Sequence, residues 1–198
     1  MVWEGEPSRA VITQRTYPTE IEDLWDAIVT PERLSRWFLP ITGDLREGGR
    51  YQLEGNAGGT ITQCKAPNLV SVTWEMFGDI GWLNVNLEAL GNQSTRLTLE
   101  HIAHETADTL QFWDQYGPGA LGVGWDLGLS GLPKYLASAD DFNPEVEETW
   151  VASAEGRDFI RSCSDEWVAA ALAYGTDSQQ AQEAGDRTVA FYTGDAVE

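Results

Sequence analysis

Cysteine, histidine, lysine and methionine each occur only twice in the 198 residues. Cys64 and Cys163 stand far apart and in no paired-ligand motif, so neither a disulfide framework nor a zinc site is expected. The two histidines spell H-x-x-H at His101 and His104, followed by Glu105. On a strand, positions three apart face opposite sides and do not converge on one ion. Long apolar runs are also missing. None approaches the ~18 residues of a membrane span, and the first ten residues, MVWEGEPSRA, have neither the basic start nor the apolar stretch of a secretory leader. A soluble, cytoplasmic protein is expected, with no metal and no cofactor. Positive charge is scarce as well: 12 Lys and Arg stand against 32 Asp and Glu, a net charge of −20. Such a surface repels phosphate backbones and anionic lipid heads, so nucleic acid and membrane are not expected partners.

The charge is uneven. Residues 140–198 hold 14 acids and three bases, against 18 and nine in residues 1–139. The doubling of charge density predicts a boundary near 139, between a main domain over 9–138 and an acidic helical extension over 139–198. Ten arginines against two lysines fit either a salt-adapted proteome or a coding bias.

What is plentiful is alternation. RAVITQRTY (9–17) reads as a strand ended by Pro18. Thr19 and Glu22 suit a capping box, and Ile21, Leu24, Trp25 and Ile28 predict a helix over 20–28. Thr30 followed by Pro31 predicts a second short helix to about Phe38. Period-two patterns then predict strands at 49–55, 59–65, 69–77, 82–90 and 95–101, each with one dry face, joined by short turns into an antiparallel meander. A longer helix is expected over 118–137, with Gly117 as its cap, Pro118 at its first position and Leu121, Trp125, Leu129, Leu132 and Leu136 as its apolar stripe. Gly124, Gly128 and Gly131 lie beside that stripe. Each costs about 1 kcal/mol relative to alanine, so close approach to a sheet, another helix or a ligand is expected. After a polar linker containing Pro144, helices are predicted over 153–174 and 178–192. Both are too short to be stable alone.

Three motifs tempt and fail. Gly117, Gly119 and Gly122 fit G-x-G-x-x-G, but a polar segment, TADTLQFWDQ, precedes them and no βαβ unit surrounds them. Gly128 and Ser130 begin G-x-S-x-G, but Leu132 occupies the last position and no strand-to-helix elbow precedes the serine. Asp140-Asp141 and Glu147-Glu148 belong to the charged linker and read as solvated.

The order strand, two short helices, antiparallel strands, long helix is that of an α+β helix-grip fold, a curved antiparallel sheet wrapped around a long helix, here with a C-terminal helical extension. The blocks LWDAIVTPERLSRWF, DLREGGRY, GGTITQCKAPNLVSVTWEM, STRLTLEH and GVGWDLGLSGLPKYL, in that order, resemble the SRPBCC (START-like, birch-pollen-allergen-like) superfamily. Within it they look most like the domain named after the activator of the heat-shock protein 90 ATPase. The resemblance covers about residues 9–138. Two departures are visible: no separate N-terminal chaperone-contacting module is expected, and Ala103-His104-Glu105 stands where many relatives carry a glycine-aromatic pair.

The resemblance implies a cavity between sheet and long helix. Candidate lining residues are Trp37, Tyr51, Trp74, Met76, Val85, Leu99, His101, Leu121, Trp125 and Leu129. Aromatic rings suit an apolar, ring-shaped ligand, and His101 supplies one polar group on an apolar wall. The favoured reading is a binding protein for a small apolar or aromatic molecule. One alternative is a cavity enzyme of the cyclase or dehydratase type, using His101 with Tyr51 or Asn86. Another is a co-chaperone-like or homodimerising module acting through the acidic C-terminal helices.

Overall fold

The computed structural model describes residues 1–138 and 149–195. The expected boundary at 139, the linker around Pro144 and the acid pairs Asp140-Asp141 and Glu147-Glu148 lie outside the described residues. The strands are β1 (Val2–Trp3), β2 (Glu6–Tyr17), β3 (Ile41–Gly43), β4 (Arg50–Leu53), β5 (Gly58–Lys65), β6 (Leu69–Met76), β7 (Asp79–Ala89) and β8 (Thr95–His104). The helices are α1 (Ile21–Val29), α2 (Pro31–Trp37), α3 (Ala107–Tyr116), α4 (Gly119–Ala137), α5 (Ala154–Tyr174) and α6 (Ser178–Thr193).

The strands form one curved antiparallel sheet in the order β1-β2-β8-β7-β6-β5-β4-β3. The meander therefore runs as its alternation predicts, and β2, first of the long strands, closes beside the last. Registers line up one row across five strands: Ile61, Val72, Leu83, His101 and Val11. The neighbouring row is Val70, Val85, Leu99 and Thr13. Because side chains alternate, these residues share one face. Trp82, Asn84, Asn86, Glu100, Ile102 and His104 share the other.

Packing divides the chain into two compact units. The first holds residues 1–104 and the end of α4 from Leu132; the second holds Glu105–Gly131 with α5 and α6. In the first unit, α1 buries Ile21, Leu24 and Ala27, and α2 buries Leu34 and Trp37. Arg33 ties this helix pair to the end of α4. Its Nε donates to the Tyr135 hydroxyl at 3.0 Å, and the Arg33 and Arg36 guanidinium groups lie 5.5 and 5.6 Å from the Tyr135 ring centroid. Asp23 and Asp26, both 2.9 Å from Arg33, hold its charge in place.

The second unit answers the question raised by the helix glycines. A Cβ on Gly122 would lie 2.1 Å from the Trp167 ring of α5, and one on Gly119 would lie 2.8 Å from Thr188 Oγ1 of α6. Glycine lets these helices approach α4 closely. Around that contact Val123, Ile160 and Cys163 are buried, with Leu127, Phe159, Trp167 and Tyr192 packed on them. Trp167 Nε1 donates to the buried Asp126 carboxylate at 2.8 Å, and the Tyr192 hydroxyl donates to the Ala120 carbonyl.

Several local expectations are corrected. α3 falls on the polar segment TADTLQFWDQ, where no helix is expected from the sequence. It is closed by a capping box in which the Thr106 hydroxyl accepts from the Thr109 amide, and Gly117 ends it. Gly117 therefore does not cap α4; the Pro118 carbonyl accepts the first α4 bond, from the Gly122 amide. Thr19 makes no capping box with Glu22. Its hydroxyl donates to Asp23 at 2.7 Å, because the helix starts one residue later, after Glu20. Thr30 is the N-cap residue of α2, but its hydroxyl donates to Asp26 rather than accepting an α2 amide. β1 and β3 were too short to show a period.

Since α3 buries none of its residues, its cap carries much of its local order. Thr106→Ala is expected to cost about 1 kcal/mol. Hydrogen exchange should then show α3 amides opening roughly fivefold more often, with β8 amides unchanged.

Candidate functional site

The face of β6, β7 and β8 that carries His101 is apolar and unevenly covered. Val11, Leu83 and Leu99 are sealed, whereas Val72, Trp74, Met76 and Val85 remain half-exposed. The half-exposed group lies on β6 and the adjoining row of β7. Trp74 pairs with Gly81 of β7, so the strand beside the indole presents no side chain there. The His101 ring leans into that space, its centroid 5.8 Å from that of Trp74. A Cβ on Gly81 would come within 2.9 Å of His101 Nε2. Gly81 is thus what permits the histidine to meet the tryptophan.

His101 is 7% exposed. Desolvation by burial pulls its pKa down to about 4, so the imidazole is neutral at pH 7, with one ring nitrogen a donor and the other an acceptor. It is an internal strand residue, not a frayed end, because β8 continues to His104.

Of the expected lining residues, Trp74, Met76, Val85, Leu99 and His101 come together on this face. Tyr51 lies on β4 paired with Gly59 and is buried. Its hydroxyl donates to the Thr73 carbonyl at 2.8 Å, and burial pushes its pKa well above the usual phenol value. Trp37 is buried in the α1–α2 pair, where its Nε1 donates to the Ala27 carbonyl at 2.9 Å. Leu121, Trp125 and Leu129 share one side of α4 in the second unit, Leu121 half-buried and the other two buried. Asn86, named with His101 in the enzyme alternative, is exposed on the opposite face of the sheet.

That opposite face carries a second polar-aromatic cluster which no motif announced. His104 Nδ1 is 2.9 Å from Ser8 Oγ, and Trp82 lies 4.5 Å from the His104 ring and 6.2 Å from Trp3. The Ser8 hydroxyl also lies 3.0 Å from the Glu6 carbonyl, to which it can donate. His101 and His104 lie on opposite sides of one sheet.

The sheet order, the two short helices after the first long strand and the long helix after the last define an SRPBCC-type helix-grip protein of the α+β class. Residues 18–137 match the family described as "Activator of Hsp90 ATPase homolog 1-like protein", and the chain belongs to that family. No curated protein matches it. Among solved structures it is similar to CalU16 from Micromonospora echinospora. In the crystal structure the identity is 28% and the TM-score 0.62, over 85% of this chain and 90% of that one. In the solution structure the values are 29% and 0.68, over 85% and 89%. Two more distant likenesses share the fold. MLL2253 from Mesorhizobium loti has 19% identity and TM-score 0.56 over 67% of this chain and 99% of that one. DynU16, described as a protein in the dynemicin biosynthetic locus, has 17% and 0.53 over 66% and 48%. A match to 85% of the chain cannot be reached without part of the segment after residue 139, so the likeness to CalU16 continues past the family segment.

Proposed function

We propose that the protein binds a small, neutral, apolar or aromatic molecule on the half-open face around Trp74, Met76 and Val85. The observation that carries this is the uneven covering of one apolar face. Its rows toward β8 are sealed, while the indole of Trp74 stays accessible beside a glycine. Exposed apolar area of this kind is unfavourable in water by roughly 25 cal/mol per Å², and a flat apolar ligand would remove it from solvent. His101, buried behind the indole, backs this face as a neutral imidazole, which favours a neutral ligand over an anion. Membership of a family whose superfamily fold is built around ligand cavities supports the same reading. On composition, and on two free cysteines, we also propose that it works in the cytoplasm. No helix among the described residues is long and apolar enough to cross a membrane.

The geometry favours binding over catalysis. A histidine with a pKa near 4 is a weak base at neutral pH. The Tyr51 hydroxyl is engaged by a backbone carbonyl, and Asn86 faces away. The test is fluorescence titration with the neutral probe N-phenyl-1-naphthylamine. Trp74→Ala is expected to weaken binding about tenfold, the worth of one stacked ring with its buried area. Gly81→Leu, whose Cβ would lie 2.9 Å from both His101 Nε2 and the Ile102 carbonyl oxygen, should abolish it by displacing the histidine from beside the indole. If both variants are folded by circular dichroism and bind like the wild type, the site is not here.

A further inference from the structure

The second unit presents a surface that its own fold does not use. α3 contains Leu110, Phe112, Trp113 and Tyr116, yet buries none of its residues. Phe112 is 42% exposed, and Phe191, near the end of α6, is 55% exposed. These rings form a ladder. Phe112 lies 5.0 Å from Tyr116, and Tyr116 lies 5.4 Å from Phe191. The two helices are held side by side by Arg187, whose Nε donates to the Gln115 carbonyl at 2.6 Å. The ladder is therefore a built ridge of three rings, each 5.0 or 5.4 Å from the next, a spacing close to one turn of an α-helix.

Charge selects the occupant. Residues 105–131 and 149–195 hold twelve acidic side chains and three basic ones. All three basic residues are arginines already facing a carboxylate: Arg157 with Asp195, Arg161 with Asp158 and Arg187 with Glu183. The field of this unit is thus negative, with no cation left over to offset it. Asp108 stands one turn before Phe112 on the same side of α3. A second copy would bring a net −9 against another −9, and nucleic acid or an anionic membrane would meet the same repulsion. A cationic partner gains on both counts: aromatic rings attract guanidinium and ammonium groups over their faces, and carboxylates pair with them at the rim.

We propose that the Phe112–Tyr116–Phe191 ridge is a docking surface for a basic amphipathic helix of another protein. Apolar anchors at i, i+3 or i+4, and i+7 lie against the rings, and flanking lysines or arginines meet the acidic surround. This replaces the homodimer expected for the acidic helices, and it is independent of the ligand-binding face on the sheet.

The full chain is titrated into a fluorescein-labelled 18-residue Leu/Lys helical peptide with one apolar stripe, followed by fluorescence anisotropy at 50 and 300 mM salt. Binding is expected to weaken at least fivefold at the higher salt. The double variant Phe112→Ala/Phe191→Ala should weaken it at least tenfold at either salt. Both rings are surface-exposed, so the variant should keep its circular dichroism spectrum. Asp108→Lys, also on the surface, provides a second arm and should weaken binding about threefold. A Leu/Glu peptide of the same pattern should bind at least tenfold more weakly than the Leu/Lys peptide. Equal binding by the two peptides, or wild-type affinity in the double phenylalanine variant, overturns the proposal. So does sedimentation showing a self-associated species that disappears in that variant, which would make the occupant a second copy.

Discussion

Gly122→Val is expected to be among the most damaging single substitutions in the helical unit, costing about 2–6 kcal/mol. The added Cβ alone would lie 2.1 Å from the Trp167 indole, and valine adds two methyl groups beyond it. The obstacle is a rigid ring, so either α5 moves away from α4 or the tryptophan leaves its place. Overpacking of this kind costs about 1–3 kcal/mol. If the indole leaves, its Nε1–H bond to the buried Asp126 carboxylate goes too, and depriving a buried charged acceptor of a donor adds about 1–3 kcal/mol. Thermal unfolding of the full chain should show a Tm lower by roughly 10 °C, at about 2–4 °C per kcal/mol for a chain of this size. Gly122→Val/Trp167→Ala gives the check on mechanism. If the clash is the cause, the double variant should be less destabilised than the sum of its single changes, with a coupling of at least about 1 kcal/mol. A Gly122→Val protein with an unchanged Tm would mean that α4 and α5 do not meet at this glycine.

Acid should destabilise the protein through His101 before it reaches the carboxylates. An unfolded histidine titrates near pH 6.5, whereas the buried His101 titrates at about 4. Between those values the unfolded chain binds a proton that the folded chain refuses. The contribution is therefore fully present above about pH 6.5, falls as pH falls, and is lost below about 4. The difference between the two pKa values corresponds to about 3 kcal/mol. Lowering the pH also relieves repulsion within a protein of net charge −20, an opposing effect, so the comparison with His101→Gln is what isolates the histidine. The wild-type stability from urea unfolding should drop relative to the variant by about 3 kcal/mol between pH 7 and pH 4. Parallel curves would show that His101 is not buried as described. Asp26, Glu75 and Asp195 have carboxyl pKa values held low by hydrogen bonds from their partners. They act lower in the pH range, and as surface groups each contributes little.

Alternation along 69–77 and 95–101 located β6 and β8, and the apolar stripe of 118–137 located α4 to within a residue, because those signals are written in neighbouring side chains. The same reasoning showed that His101 and His104 could not share an ion. It did not reach α3, since Leu110, Phe112, Trp113 and Tyr116 lie on a helix that buries no side chain and so shows no dry face. Nor did it find Gly81. A glycine in a strand looks like a weakness until the row across the sheet shows Trp74 opposite it and His101 leaning over it. The glycines of α4 announced a close approach, but Trp167 and Thr188 are 45 and more residues away in sequence, and nothing local names them.

From residue order alone follow the kinds of element, their succession, the acidic character and the membership suggested by five ordered blocks. These depend on periodicity and composition, which are properties of contiguous stretches. Folding in three dimensions set the neutral state of His101, the half-open stretch around Trp74, the neighbours of Gly122 and the ridge from Phe112 to Phe191. Each of these depends on which distant groups exclude water from a given atom, and desolvation is a property of the surroundings, not of the residue.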